Sequence, residues 1–154
     1  QRSLSMVAKN CDGAVPVPGG FTAEDAALLG QANGLLDISR SAFEKQEFNR
    51  ALEAIWTVLG DTNAYFAEQA PWVLRKTDVE RMNTVLYVTL EVLRIVAILA
   101  QPVMPTATAA ILGTLGQPEG EAREFAALGT PIEAGTALPA PVPVFPKYEE
   151  PAEA

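Results

Sequence analysis

The run from Val85 to Ala100 constrains this chain more than any other segment. It is apolar apart from a few positions, of which Glu91 and Arg94 are charged, and it falls short of the roughly 20 residues that a bilayer span requires. A helix with apolar residues on nearly every side has to be surrounded by other helices, so this stretch predicts the central helix of a bundle rather than a membrane anchor. Thr77 and Glu80 read as the capping box that opens it, and Met82, Leu86, Leu90, Leu93, Val96 and Ala97 carry it to Ala100. With 154 residues, 49% of them hydrophobic and 19% charged, the chain has enough apolar surface for one such core.

Other helices follow from periodicity and punctuation. A first runs from about Gln1 to Asn10 and stops at Asn10-Cys11-Asp12-Gly13, before a loop of Val15-Pro16-Val17-Pro18-Gly19-Gly20. Thr22 with Asp25 caps a second, from about 23 to 45, whose inner face is Leu28, Ala32, Leu35, Ser39 and Phe43. Glu47 opens a third with a face of Phe48, Leu52, Ile55, Leu59 and Phe66, which closes before Pro71. On this reading Trp56 belongs to the core beside Ile55, and Asn63 interrupts the inward stripe, where its amide needs a hydrogen-bond partner. Gln101-Pro102-Val103-Met104-Pro105 breaks the central helix, and a short fifth helix covers Thr106 to Leu115. The expected fold is therefore all-α, a five-helix bundle over residues 1–118. Residues 119–154 form an acidic, Pro-rich C-terminal extension packed on that bundle or trailing from it, kept extended by Pro139, Pro141, Pro143 and Pro146. Gln1 reads as the inside of a helix already under way, so the sequence is expected to be a piece of a longer chain.

Composition removes most catalytic templates. There is no histidine, hence no Ser-His or Cys-His pair, and the single cysteine, Cys11, can form neither an internal disulfide nor a multi-thiolate metal site. Cys11 is expected to be inert, and one free cysteine fits a reducing cytosol. No phosphate-binding loop, dinucleotide fingerprint or metal motif is present, and Glu44 and Glu47 read as a solvated face rather than an acid/base pair. We expect no catalytic residue and no metal ligand. The net charge is −8, of which −5 lies in residues 119–154, so an indiscriminate nucleic-acid or membrane surface is not expected, while the front of the chain has room for a local basic face.

Two features remain as candidates. Pro71-Trp72 sets a large aromatic at a helix end beside Arg75 and Lys76, the combination needed to stack an unpaired base and neutralise its phosphate. The same Trp also reads as a lid folded back on the core. Arg2, on the first helix, reads either as a solvated surface residue or as a rigidly placed guanidinium that hydrogen-bonds a base edge.

The run Phe48-Asn49-Arg50-Ala51-Leu52-Glu53-Ala54-Ile55-Trp56, followed by Asn63-Ala64-Tyr65 and Glu68-Gln69-Ala70-Pro71-Trp72, resembles the anticodon-binding domain of bacterial methionyl-tRNA synthetases. Gln1-Arg2-Ser3-Leu4-Ser5-Met6 is similar to that family's first anticodon-domain helix, and Gln101 to Pro105 to its helix break. Leu138 to Lys147, ending in Val144-Phe145-Pro146-Lys147, is similar to the segment that closes its shorter members. The resemblance implies a helical domain that follows a Rossmann-type catalytic domain in the same polypeptide. That parent would be a methionine–tRNA ligase using ATP and magnesium, with structural zinc in some members outside this region. It implies a chain inactive alone and without cofactor, cytoplasmic, monomeric, bound to no membrane, and recognising the C-A-U anticodon loop of methionine tRNAs. By position, Trp72 becomes the stacking platform, Pro71 the residue that shapes its turn, and Arg2 the base-reading guanidinium, whose partner Asn would precede Gln1. Asn63 and Tyr65 match the family pattern as support for the third helix. Arg75 and Lys76 are our own addition as phosphate contacts. Two rival readings are a helical protein-interaction domain using Trp72 and the equivalent domain of a related class I synthetase.

Overall fold

A computed structural model describes residues 1–145. Pro146, Lys147 and the acids Glu149, Glu150 and Glu153 of the expected extension lie outside the described residues. The element order is α1 (Arg2–Asn10), α2 (Ala23–Glu44), α3 (Phe48–Gln69), α4 (Pro71–Thr77), α5 (Val79–Ala100) and α6 (Pro105–Thr114), followed by two short 3-10 segments at Glu121–Arg123 and Phe125–Gly129. The five expected helices are all present, and α4 is an addition where the sequence suggests only a connection.

Helix α5 is the axis of the fold: it touches each of the other five helices and the Phe125–Gly129 turn. From Val85 to Ala100 only Tyr87 and Leu93 are partly exposed. The helix has 22 residues, and its most apolar 18-residue window, with a mean hydropathy of 1.7, is apolar enough to cross a membrane, but 83% of that window is buried among its neighbours, which is how a central bundle helix satisfies the same composition. Helix α2 begins on the expected capping box, with Asp25 N–H donating to Thr22 Oγ1 at 3.3 Å and Thr22 N–H to Asp25 Oδ2 at 2.9 Å. Its buried face ends on Ala42, and Phe43 lies half-exposed against the edge of Phe48 at the turn into α3, with ring centroids 5.1 Å apart.

Three local expectations are corrected. The inward stripe of α3 is Ala51, Ile55, Val58, Thr62, Tyr65 and Phe66, rotated from the expected one, so Phe48 and Trp56 are about half exposed and Asn63 faces outward. Trp56 follows Ile55 by one residue, about 100° around the helix, which carries it off the core face. Thr62 takes the polar place assigned to Asn63, and it does so because its hydroxyl donates to Val58 C=O at 2.6 Å and leaves no unpaired group inside. The N-cap of α5 is Asp78, whose carboxylate accepts from Arg81 N–H at 2.9 Å; Thr77 is the last residue of α4 and the Thr77–Glu80 box is not formed.

The two charges within α5 turn out to fasten the end of the chain. Arg94 donates to both carboxylate oxygens of Glu91 at 2.8 Å, and both side chains are buried. Arg94 also donates to Ala127 C=O at 3.1 Å, and Glu91 Oε2 accepts from Ile132 N–H at 2.9 Å. Beyond them, Val15 N–H donates to Thr136 C=O at 2.9 Å and Leu138 N–H to Gly13 C=O at 2.7 Å, so the segment returns to the loop after α1 through one antiparallel bridge, Ala14 to Ala137. Gly116, at φ +68°, permits this: a Cβ there would sit 2.8 Å from Ala137 C=O.

Candidate nucleic-acid interface

The end of α3 determines where the candidate aromatic points. After Gln69 the chain takes one residue, Ala70, in the left-handed region (φ 45°, ψ 60°), and Pro71 then starts α4 at its first helical position. Proline suits that place because its fixed φ is already helical and its missing N–H would have had no intrahelical partner. Val73 N–H donates back to Ala70 C=O at 2.8 Å, which makes the corner abrupt. Pro71 is buried, and Trp72 is left 43% exposed, its ring tilted over Phe66 with centroids 6.0 Å apart. The two readings of Trp72, lid and platform, are thus both partly met: one side of the indole covers Phe66 and much of the remainder is open.

Arg2 lies on the first turn of α1 and is exposed. It lines, with Gln1, Ser5, Met6, Phe66 and Trp72, an open groove of about 510 Å³, within the range of small-ligand clefts. A second groove of about 420 Å³ adjoins it, where Gln1, Arg2 and Phe66 recur with Asn63 and Thr62. Two candidate residues from opposite parts of the sequence therefore share one concavity, with an indole on one wall and a guanidinium on another. Among the described residues no carboxylate lies within ion-pairing distance of Arg2, Arg75 or Lys76. Arg75 and Lys76 are exposed on the last turn of α4, next in the chain to the groove's aromatic but not lining it, and there they also complement the negative end of the helix.

Around Tyr65, the neighbour of Phe66 on α3, is a polar cluster of which the sequence shows only the cap at Asp25. Asp25, fully buried at the start of α2, receives Arg81 through two hydrogen bonds at 2.5 and 2.8 Å and the Tyr65 hydroxyl at 2.5 Å. Arg81 also donates to Gln69 Oε1 at 2.7 and 3.2 Å. Burial pushes the Asp25 carboxyl up, but hydrogen bonds from Arg81, Tyr65 and the Thr22 backbone outweigh it and hold the group at about 2. The Tyr65 phenol is pushed well above its usual range, first by burial and then by its bond to Asp25. Tyr65 thus supports the end of α3, as the sequence reading assigned it, whereas Asn63 lines the second groove. The only sequence signal for this cluster was a carboxylate, a phenol and a guanidinium at the ends of three predicted helices. Elsewhere, burial and the neighbouring Asp12 raise the Cys11 thiol, which is partly buried beside Asn83.

A family model described as the anticodon binding domain of methionyl tRNA ligase matches residues 15–154. The methionine–tRNA ligase of Mycobacterium tuberculosis is 56% identical over 155 residues, covering 98% of this chain and 30% of the relative, and that of Brucella melitensis is 52% identical over 151 residues, covering 97% and 29%. The crystal structure of apo Mycobacterium tuberculosis methionyl-tRNA synthetase superposes with a TM-score of 0.93 at 55% identity, over 98% of this chain and 31% of that one. The same synthetase in complex with methionyl-adenylate gives 0.92 at 56% identity. The chain spans about 30% of the length of the curated relatives it matches.

Proposed function

The chain belongs to the family of anticodon-binding domains of methionyl-tRNA ligase, and we propose that the groove between Arg2 and Trp72 reads the C-A-U anticodon loop of methionine tRNAs. The observation that carries this reading is the shared groove: α1 and α4 bring a guanidinium with no ion-pair partner among the described residues and a half-exposed indole to one cavity. A loop base turned out of its stack lies on the open part of Trp72, while Phe66 behind the indole keeps the ring from swinging away. Pro71 fixes the entry to α4 and with it the angle of the platform. Arg2 donates to the edge of a splayed base, and a base that offers no matching acceptor leaves that donor unpaired, which supplies discrimination. Arg75 and Lys76 neutralise phosphates on the side of α4. Val142 to Phe145 of the segment after α6 come up to Gln1, but none of Glu119, Glu121, Glu124 and Glu133 lines either groove, which leaves room for a few phosphates beside a chain of net charge −8.

The proposal extends to the protein of which such a domain is part. It follows a catalytic domain that activates methionine with ATP and magnesium and transfers it to the tRNA in the cytoplasm, and this chain by itself is monomeric. In this proposal structural zinc, where the parent holds it, lies outside this chain. The test is a fluorescence titration with a C-A-U anticodon stem-loop and with the same hairpin carrying a changed anticodon. Because Trp56 is half exposed and would contribute signal, Trp56→Phe is the parent background. Saturable quenching selective for C-A-U and lost in Trp72→Ala supports the reading. Equal binding of both hairpins, or binding unaffected by Trp72→Ala, defeats it.

A further inference from the structure

We propose that Arg81 and Gln69 are positioning residues for the Trp72 platform: together they clamp both ends of α4, and so fix the orientation of the indole that the anticodon reading requires. The inference rests on that reading for its purpose, and on the following geometry for its mechanism. Helix α4 is only seven residues long and is bounded by two non-helical residues, Ala70 in the left-handed region and Asp78 in an extended one (φ −153°, ψ 88°). A left-handed alanine is held there by its surroundings rather than by its own preference, so the corner needs an external brace. Arg81 supplies it on both sides. Its guanidinium donates two hydrogen bonds to Gln69 Oε1, immediately before the corner, and its backbone N–H donates to the Asp78 carboxylate, immediately after α4.

The brace is itself anchored. The adjacent edge of the same guanidinium, which shares Nη2 with the Gln69 edge, donates to both oxygens of Asp25, whose carboxylate also accepts from the Tyr65 hydroxyl in the last turns of α3. Three helix ends, the start of α2, the end of α3 and the start of α5, therefore meet on one planar group, and α4 is the short segment strung between two of them. An arginine suits this place because its donors lie in one rigid fork, so that fixing the Asp25 edge fixes the edge that meets Gln69. Trp72 is the third residue after Gln69 and makes its aromatic contact with Phe66, one turn before Gln69 on α3. Releasing the Gln69 contact frees the corner to rotate relative to α3, and the indole moves off Phe66.

Gln69→Met keeps the length of the side chain and removes the acceptor, and Gln69→Glu keeps an acceptor; both leave the Asp25–Arg81–Tyr65 core in place. The test uses the full chain in the Trp56→Phe background, with far-ultraviolet circular dichroism to match folded fractions. We expect Gln69→Met to weaken C-A-U hairpin binding about tenfold, a part of what a stacked base contributes, and to narrow the ratio between C-A-U and changed hairpins. Its Trp72 should become more accessible to acrylamide, while Gln69→Glu stays near the parent in all three readouts. Unchanged acrylamide quenching in Gln69→Met overturns the clamp whatever the RNA result, and so does an equal loss in both variants. If the parent chain binds no hairpin, the anticodon reading fails while the quenching comparison still decides the clamp.

Discussion

Among the described residues two carboxylate–guanidinium pairs lie inside the fold, each with its arginine on α5, and they work differently. Glu91 and Arg94 lie one turn apart on the same helix, both almost fully buried, and their remaining hydrogen bonds go to backbone of the segment that follows α6. Asp25 and Arg81 come from separate helices, the arginine keeps 17% of its side chain exposed, and the remaining bonds go to the side chains of Tyr65 and Gln69 near the end of α3. The first pair is preformed by helical spacing and fastens a chain end. The second exists only when α2, α3 and α5 have already met, so its geometry depends on tertiary packing, and what it fixes is a corner beside a binding surface.

The largest effect should come from breaking the more buried pair. Arg94→Met leaves Glu91 charged and surrounded by apolar side chains, and the expected loss of stability is about 3–5 kcal/mol in urea unfolding. Adding Glu91→Leu should recover most of that, because two buried charges replaced by apolar side chains remove the desolvation cost as well as the attraction. Recovery should stop short of the parent, since Ile132 N–H then lacks its acceptor, a deficit of about 1–3 kcal/mol. Complete recovery would show that the link to Ile132 contributes nothing.

Asp25→Asn should cost less, about 2–3 kcal/mol, because the freed Arg81 still reaches water while the hydrogen bonds to a charged acceptor are lost. It should also change the pH dependence. The folded-state pKa of Asp25 lies below its ordinary value of 3.8, at about 2, so its stabilising contribution is complete above about pH 4 and disappears as pH falls through about 2. Between pH 4 and pH 2 the parent should lose stability more steeply than Asp25→Asn. Parallel curves would mean that the Arg81 bonds do not favour the carboxylate.

The same contrast explains what was legible in the sequence. Length, helix order, the capping box at Thr22 and the central place of the Val85–Ala100 run could be read because each rests on spacing within one segment. Glu91 and Arg94 were visible as interruptions, but their partners lie at Ala127 and Ile132, in a stretch with no periodicity to place it. Trp56 was misplaced because a large aromatic adjacent to Ile55 looks like core, while one residue of offset turns it outward. Asn63 and Thr62 were exchanged because a threonine that bonds its own helix backbone behaves as a buried residue without showing it in the sequence. The candidate groove was legible only as separate pieces: Arg2 and Trp72 were named, but spacing alone could not show that they share a cavity, and the Arg81 brace left no local mark.

On the binding side, Trp72→Ala should weaken the C-A-U hairpin by the value of one stacked base, about 1–3 kcal/mol, with little change in melting because the indole is already 43% exposed. Arg2→Ala should reduce discrimination between C-A-U and changed hairpins more than it reduces affinity overall, whereas Arg75→Ala and Lys76→Ala should weaken both hairpins alike and flatten the salt dependence. If Arg75→Ala altered discrimination instead, the division between groove and phosphate-contacting face would be wrong.

The smallest effect separates two neighbouring residues at the start of α5. Sequence spacing assigns the cap to Thr77, with Glu80 as its partner, and the structure assigns it to Asp78 through the Arg81 N–H. Asp78→Ala should therefore cost about 1 kcal/mol, the usual value of a lost N-cap, and Thr77→Ala should stay within about 0.5 kcal/mol of the parent. The difference matters beyond stability, because the bond lost in Asp78→Ala belongs to the same residue that braces Gln69. If capping and bracing are one device, Asp78→Ala should also raise the acrylamide accessibility of Trp72 while Thr77→Ala does not. If the two functions are separate, the cap will be lost with Trp72 unchanged, and the hold on α4 rests on the Gln69 side alone.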